Sequence, residues 1–389
     1  MRVLGPEKFG LVTFAQVFIQ YFIIATDYGF NLTATREISI HREQKEKISE
    51  IFFSVLFIKI CFMIISGLVL LLIILTIPKF REEWLIYALA FGMVAGNVLF
   101  PVWFFQGLER MKYITVINVL AKSIFALSIF IFIRQPSHYP FVLLLHSIGF
   151  IIAGILSIWI AIKHFQVKFQ KPTRVTIISN LKSGWYMFIS NVSIIFYKTS
   201  DIFILGLLAS EEILGYYAIA KKLIEVSNQF AVIISQTIYP HISKKIRESF
   251  VAVYRLIRKV SITTASVTFM LGLIFFFLAE LIIKLLAGHF YPESVLTLRI
   301  LAIVPFIVGW SVPPTQILLG AGLDKKFSFI VGWMVILSLM LNFVFISLFS
   351  YIGAALSLII VEFMVTGFLF WEVFKNMANI KMLSQSNLK

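Results

Sequence analysis

The sequence predicts an all-α polytopic membrane protein. Hydrophobic residues make up 60% of the 389-residue chain, charged residues make up only 14%, and the mean hydropathy is +0.94. Soluble domains carry about 25% charged residues, so this composition excludes an ordinary soluble fold. The apolar residues also form long runs that do not alternate with polar ones. Because isolated strands cannot cross a bilayer, these runs are expected to be helices.

Eleven apolar runs are long enough to cross a hydrocarbon core about 30 Å thick at 1.5 Å per residue. They are residues 9–32, 51–77, 84–106, 113–133, 141–162, 181–208, 216–240, 256–279, 298–320, 327–349 and 350–373. The sequence therefore predicts eleven transmembrane helices.

The loops between the runs carry charge asymmetrically. One face holds 22 of the 34 lysines and arginines, in segments 34–50, 107–112, 163–182, 241–259, 321–326 and the C-terminal tail. The opposite face holds 7 of them. Because short cytoplasmic loops retain basic residues, the first face is predicted to be cytoplasmic, and the C-terminus with it. The net charge of +15 is then explained by topology, so no nucleic-acid partner is expected.

The first ten residues, MRVLGPEKFG, contain no apolar segment of a signal peptide. The charge asymmetry nevertheless places them on the non-cytoplasmic face. An outside N-terminus without a signal peptide is explained if a first span is missing. We therefore expect 11 transmembrane helices of a 12-helix parent.

Two pairs of short segments resemble each other at nearly equal spacing. Residues 7–15 (EKFGLVTFA) match residues 212–220 (EILGYYAIA) at an offset of 205. The residues GLER at 107–110 match GLDK at 322–325 at an offset of 215. The two members of each pair lie on the same predicted face, which indicates a parallel repeat of two halves.

The repeat predicts a division of the chain into two lobes. We expect an N-terminal lobe at 1–162 with five spans, a basic cytoplasmic linker at 163–180, a C-terminal lobe at 181–373 with six spans and a cytoplasmic tail at 374–389. Pro101 and Pro314 lie shortly before the repeated glycines, so a helix in each half is expected to bend there. Such a bend can serve as a gating hinge or as a static kink.

Three motifs carry a resemblance to a known family. LGPEKFG at 4–10, DYGFN and TREIS within 27–39, and WFFQGLERMKY at 103–113 resemble segments of bacterial O-antigen flippases. These belong to the superfamily of multidrug, oligosaccharidyl-lipid and polysaccharide exporters. The resemblance implies a two-lobe, flippase-like bundle in the bacterial inner membrane. It also implies a transporter, not an enzyme, that moves undecaprenyl-pyrophosphate-linked oligosaccharides to the periplasmic face before the O-antigen polymerase machinery uses them.

Ionisable residues inside apolar runs are the candidate functional residues, because a charge in lipid is costly and usually faces a protein interior or water. Three lysines are predicted to line a cationic lumen that offers a pyrophosphate a favourable path: Lys122, Lys198 and Lys59. Four carboxylates are predicted to pair with lysines or to bind a coupling ion: Asp201, Glu225, Glu362 and Asp27.

Local spacing suggests partners for some of these groups. Lys198 and Asp201 are three residues apart, so an ion pair on one helix face is possible, and Lys221 or Lys222 can pair with Glu225 in the same way. In the alternative interpretation, the lysines snorkel to the head groups and the pairs only neutralise charge. We favour snorkelling for Lys59 and Lys221, and a lumenal position for Lys122 and Lys198.

The sequence contains no phosphate-binding glycine loop, no HExxH and no nucleophile elbow, so ATP hydrolysis and covalent catalysis are not expected. The single cysteine, Cys61, supports neither a disulfide nor a metal site, and no cofactor is expected. The expected partners are membrane lipid and the lipid-linked substrate. Two alternatives stay open: a cation-coupled exporter of small amphipathic molecules, whose lumen would be rich in carboxylates, and an inactive truncated flippase.

Overall fold

The protein is built from α-helices. A computed structural model describes residues 1–248, 250–321 and 323–376, and these ranges contain no β-strand. The helices are α1 (Gly5–Asp27), α2 (Phe30–Ile40), α3 (Lys45–Thr76), α4 (Pro78–Glu82), α5 (Trp84–Leu99), α6 (Val102–Gly107), α7 (Met111–Phe132), α8 (Tyr139–Lys163), α9 (Arg174–Leu208), α10 (Glu211–Glu248), α11 (Phe250–Phe277), α12 (Ala279–Ala287), α13 (Pro292–Leu301), α14 (Val304–Gly320) and α15 (Asp324–Lys375). Gly322 of the predicted repeat and tail residues 377–389 lie outside the described residues.

Nine helical stretches within the described ranges are long and apolar enough to cross a membrane. They are Gly5–Ile40, Lys45–Thr76, Trp84–Gly107, Met111–Phe132, Pro136–Lys163, Arg174–Leu208, Val260–Phe277, Pro292–Leu319 and Lys325–Lys375. The predicted all-α polytopic fold is confirmed. The total of eleven spans stays a prediction.

The long helix α15 is a hairpin of two helical segments. Ser350 has φ 53° and ψ −130°, which interrupts the helix. Gly353 then lies against the carbonyl oxygen of Phe345, where any side chain would overlap the backbone. Lys326, near the start of α15, forms an ion pair with Glu372 near its end, at 2.9 Å. The turn at Ser350 falls where the sequence separates the apolar runs 327–349 and 350–373.

The chain divides into two compact units, which we call the first unit (Val12–Ile195) and the second unit (Met1–Leu11 together with the chain from Phe196 onward). The chain passes from one unit to the other inside α1, after Leu11, and inside α9, after Ile195. The functional division into lobes 1–162 and 181–373, joined by a linker at 163–180, stays a prediction.

In the first unit, the motif DYGFN forms the break between α1 and α2. Tyr28 and Gly29 have φ of 44° and 81°, a left-handed conformation that ends α1 and redirects the chain. A side chain on Gly29 would overlap Met187. Gly184 lies close enough to Tyr28 that a Cβ there would overlap its ring. The glycine of this motif is thus required both by its φ and by the close approach of α9.

The motifs TREIS and WFFQGLERMKY pack against each other through α2 and α6. Trp103, Phe104 and Phe105 are fully buried, and the backbone of Trp103 accepts a hydrogen bond from the Thr35 hydroxyl at 3.2 Å. Gly107 lies against Ile38 with no room for a side chain. Beyond the ends of these helices, Arg42 and Glu109 form an ion pair at 2.8 Å.

Candidate functional site: two buried lysine–carboxylate pairs

Each unit contains a lysine buried inside its helices and paired with a carboxylate. In the first unit, the ammonium of Lys59 on α3 lies 2.7 Å from the carboxylate of Asp27 at the end of α1. The side chain of Lys59 is 1% exposed, and that of Asp27 is 16% exposed. The amide of Asn31 donates a second hydrogen bond to the Asp27 carboxylate, at 3.3 Å. A buried charge of this kind needs its partner, because an unpaired ammonium in a protein interior is strongly destabilising.

The Lys59 ammonium also supports a broken helix. It donates a hydrogen bond at 3.3 Å to the backbone carbonyl of Asn97, on the last turn of α5. Four residues later stands Pro101, which has no backbone N–H and so cannot provide the usual helical donor for that carbonyl. The chain leaves helical geometry at Phe100 and Pro101 before α6 begins. The predicted bend at Pro101 is therefore a break in the helix. The Asn97 carbonyl accepts from the Phe100 N–H at 3.2 Å, and Lys59 adds a second donor in place of the one that Pro101 lacks.

In the second unit, Asp201 on α9 pairs with Lys221 on α10. The Lys221 ammonium lies 2.5 and 2.6 Å from the two carboxylate oxygens of Asp201, and both side chains are about 5% exposed or less. The Tyr217 hydroxyl donates to the same carboxylate at 2.5 Å, and the Ile202 N–H donates at 2.8 Å. Four donor contacts satisfy this buried carboxylate.

Lys221 repeats the chemistry of Lys59, because it bridges a carboxylate and a backbone carbonyl. Its ammonium donates at 2.8 Å to the carbonyl of Lys198. A polar cluster lies beside this pair on α9 and α15: the Asn342 amide donates to the Ser200 and Ser338 hydroxyls at 3.0 and 3.2 Å. In each unit, a buried ammonium thus binds a backbone carbonyl: at the end of α5 in the first unit and within α9 in the second.

Glu362 on α15 lies close to this second pair but is not part of it. Its carboxyl group accepts a hydrogen bond from the Tyr197 hydroxyl and lies within electrostatic range of Lys221, Lys198 and Asp201. The residue as a whole is half-buried, and its carboxyl group is buried. It is therefore a buried carboxyl group that lies close to two lysines and outside the Asp201–Lys221 ion pair.

The expected pair of Lys198 with Asp201 is wrong. Asp201 pairs across helices with Lys221, while the Lys198 side chain is exposed and contributes only its carbonyl. Glu225 lies 3.9 Å from Lys222, as the spacing of three residues allows. The favoured snorkelling of Lys59 and Lys221 is also wrong, because both ammonium groups are buried and satisfied by protein acceptors.

The remaining predicted residues are placed as follows. Lys122 is exposed on α7, and its side chain makes no hydrogen bond or ion pair with residues that the structure describes. Pro314 is buried inside α14, which continues through it as a helix. The two predicted bends therefore differ, since only Pro101 separates two helices. Whether either acts as a hinge stays a prediction.

The sequence argument missed two contributors, although spacing could have indicated both. Tyr217 lies four residues before Lys221, so one helical turn brings the two side chains to the same face. The Asn97 carbonyl lies four residues before Pro101, and a proline removes the α-helical donor that would come from four residues further along the chain. Among the described residues, no group of three histidine, cysteine or acidic side chains could hold a metal ion.

The sequence of this chain is similar to those of known proteins. Residues 1–246 match the family described as "Polysaccharide biosynthesis protein". A protein of Escherichia coli (strain K12) named "Putative O-antigen transporter" is 30% identical over 377 residues, which cover 97% of this chain and 91% of that protein.

Solved structures show the same fold at low sequence identity. An inward-facing multidrug resistance MATE family transporter of the MOP superfamily has a TM-score of 0.69 at 13% identity, over 99% of this chain and 93% of that one. The lipid II flippase MurJ in an inward closed conformation has a TM-score of 0.64 at 16% identity, over 98% and 90%. The helical bundle is MATE-like. Since the family match covers more than half of the chain and the E. coli relative aligns along nearly all of it, this multi-pass membrane protein belongs to the polysaccharide biosynthesis protein family.

Proposed function

We propose that this chain is a flippase for undecaprenyl-pyrophosphate-linked O-antigen oligosaccharides. It would move them from the cytoplasmic to the periplasmic leaflet of the bacterial inner membrane by alternating access, upstream of the O-antigen polymerase machinery. The observation that carries the proposal is the 30% identity over 377 residues to the E. coli relative named as an O-antigen transporter. The fold shared with a protein described as a lipid II flippase supports it.

In this mechanism the buried and exposed lysines have different tasks. Lys59 and Lys221 are neutralised by Asp27 and Asp201, so they hold helices in position and add little net charge. Lys198 and Lys122 have exposed side chains. A compact ammonium on a flexible stem can follow a diphosphate as it passes, and these two lysines are therefore proposed to line the substrate path.

We assign ion coupling to Glu362 ahead of Asp201, Glu225 and Asp27. Asp201 is held by four donor contacts, and Asp27 by Lys59 and Asn31. Glu225 is part of a solvent-exposed pair. Glu362 lies near Lys198 and Lys221 without being held in their ion pair, so binding or release of a proton or cation there changes the local charge that an anionic substrate meets.

Complementation tests the proposal. The chain is expressed in a strain that lacks its own O-antigen flippase, and lipopolysaccharide is examined on a gel. A restored ladder is expected for the wild type and for the exposed control Glu280→Gln, and a reduced ladder for Glu362→Gln. Because sugar specificity can differ between strains, deletion in the native host is the second arm. Absence of accumulated lipid-linked oligosaccharide in that deletion strain would overturn the flippase assignment.

Orientation is tested separately. A cytoplasmic C-terminus predicts that reporter fusions after Lys47 and after Ser210 lie in the cytoplasm and the periplasm, respectively. The opposite pattern would reject the proposed topology without bearing on the substrate.

A further inference from the structure

A long apolar groove lies between the two segments of α15, entirely within the second unit. Its volume is about 840 Å³. Trp333, Met340 and Phe368 form part of its wall, and Phe329 and Met340 are 67% and 63% exposed. From Lys325 to Met340 the groove follows the helix for about 22 Å at 1.5 Å per residue. It therefore extends over most of the depth of a hydrocarbon core.

One end of the groove is cationic. Three lysines and one carboxylate line it there: Lys325, Lys326, Lys375 and Glu372. Lys326 is engaged by Glu372 at 2.9 Å and by the Asn376 side chain at 2.5 Å. Lys375 lies over the ring of Trp371, 5.0 Å from its centroid, and Lys325 is exposed. Among the described side chains that line this end, two ammonium groups are left in excess over carboxylates.

We propose that this groove binds the polyprenyl diphosphate portion of the substrate, an inference that rests on the proposed flippase function. The diphosphate would meet Lys325 and Lys375, and the isoprenoid chain would lie along the wall formed by Trp333 and Met340. Charge and shape select this occupant over bilayer phospholipid. A diphosphate carries two ionised phosphates on a single chain, whereas a glycerophospholipid such as phosphatidylglycerol carries one phosphate on two chains.

The composition of the wall suits a methyl-branched chain. Met334, Met340 and Met364 line the groove, and unbranched, polarisable methionine side chains adapt to irregular apolar partners. The lysines belong to segments predicted to be cytoplasmic, where the lipid-linked substrate is made available. The groove would thus retain the lipid carrier at the protein surface while its head group enters the transport path.

Photo-crosslinking tests the groove directly. The full chain is placed in phosphatidylcholine nanodiscs with a benzophenone-bearing farnesyl diphosphate, and labelled peptides are identified by mass spectrometry. Labelling is expected within 325–340 and 364–375. Undecaprenyl diphosphate should displace the probe, while undecaprenol and phosphatidylglycerol should not.

Matched variants separate a site from general lipid contact. Lys325→Gln combined with Lys375→Gln should lower labelling about tenfold, the effect of about 1.4 kcal/mol. The exposed lysine Lys284, at a distance along the chain on α12, serves as the control, and Lys284→Gln should label as wild type. Equal displacement by phosphatidylglycerol, or labelling that does not depend on the two lysines, would overturn the inference.

The two proposals fail in different ways. If the groove is labelled as expected but the chain neither complements nor causes accumulation when deleted, the flippase function fails while the lipid site stands. If the chain complements and groove labelling is absent, the flippase function stands and this inference is rejected.

Discussion

Gly10 on α1 and Gly215 on α10 each pack directly against the backbone of the other helix. A side chain on Gly10 would overlap the carbonyl oxygen of Glu211, and a side chain on Gly215 would overlap the carbonyl oxygen of Pro6. Both differences, from Pro6 to Glu211 and from Gly10 to Gly215, equal the offset of 205 found between the matching segments. The first turns of α1 and α10 therefore cross with pseudo-twofold symmetry. Small residues permit this approach of two backbones.

Replacement of either glycine should destabilise the protein. Gly10→Ala or Gly215→Ala forces a methyl group into backbone atoms, with an expected cost of about 1–3 kcal/mol. Thermal unfolding in detergent and the monodisperse yield measure this cost. Gly332→Ala is the matched control, because no heavy atom lies within 4 Å of the added methyl. Equal stability of Gly10→Ala and Gly332→Ala would show that the crossing is not tightly packed.

Asp201 and Lys221 should be coupled in their contributions to the free energy of unfolding. Asp201→Asn or Lys221→Met leaves one buried charge alone, which is expected to cost about 3–5 kcal/mol. The double variant removes both charges and should cost less than the two single changes added together. Lys222→Met, which affects an exposed pair with Glu225 at 3.9 Å, should cost less than about 1 kcal/mol. Additive single costs in thermal unfolding would contradict the coupling.

The fold class and several helix ends could be predicted from the sequence, because they depend on local properties. The length of an apolar run decides whether it can cross a bilayer, and Pro101 breaks a helix for reasons confined to its own turn. The turn at Ser350 falls between two predicted runs. The partner of Asp201 could not be predicted in this way. Residue spacing suggests Lys198 on the same helix, whereas Lys221 becomes available only when α9 and α10 pack together.

The burial of individual lysines also could not be predicted from the sequence. Lys59 lies near enough to a predicted span end to snorkel, yet it is 1% exposed and satisfied by Asp27 and the Asn97 carbonyl. Whether a lysine reaches water or a buried acceptor depends on which helices surround it. That information resides in tertiary packing and not in the position of a residue along its own helix.

Lys122 and Lys198 should matter for transport and not for stability. Both side chains are exposed, so Lys122→Ala and Lys198→Ala are expected to insert and unfold as the wild type does. Each should lower translocation about tenfold, equivalent to about 1.4 kcal/mol of lost attraction for the diphosphate. The lipopolysaccharide ladder provides the readout, and Lys171→Ala in the predicted linker is the exposed control. Wild-type ladders in both variants would reject the cationic path.

The Arg42–Glu109 pair should make stability depend on acid pH. The Arg42 guanidinium lowers the pKa of the Glu109 carboxyl, first through a hydrogen bond and then through charge attraction. A lowered pKa means that the contact stabilises the protein above the ordinary glutamate pKa and is lost as the pH falls through the lowered value. Glu109→Gln should therefore lower the Tm slightly at pH 7 and have no effect in strong acid. Glu43→Gln removes an exposed carboxylate from the same region of the chain and is the control, with a Tm expected to match the wild type at pH 7. A Tm difference between Glu109→Gln and the wild type that stays the same at all pH values would contradict the predicted loss of this contact in acid.

The link between Lys59 and Pro101 can be tested as an energetic coupling. Lys59→Met leaves the Asp27 carboxylate without its ammonium and removes a donor from the Asn97 carbonyl, with an expected cost of about 3 kcal/mol. Pro101→Ala supplies a backbone N–H that can reach the same carbonyl, so Lys59→Met should cost about 1 kcal/mol less in that background.

Pro314→Ala gives the control background, since Pro314 lies inside the continuous helix α14 and not at the end of α5. There the cost of Lys59→Met should be unchanged, as expected for distant sites. Equal costs in the Pro101→Ala and wild-type backgrounds would show that Lys59 only neutralises Asp27. A lower cost of Lys59→Met in the Pro101→Ala background would mean that the Lys59 ammonium stabilises the Pro101 break. Movement at the predicted hinge would then require this ammonium to change its hydrogen-bond partners.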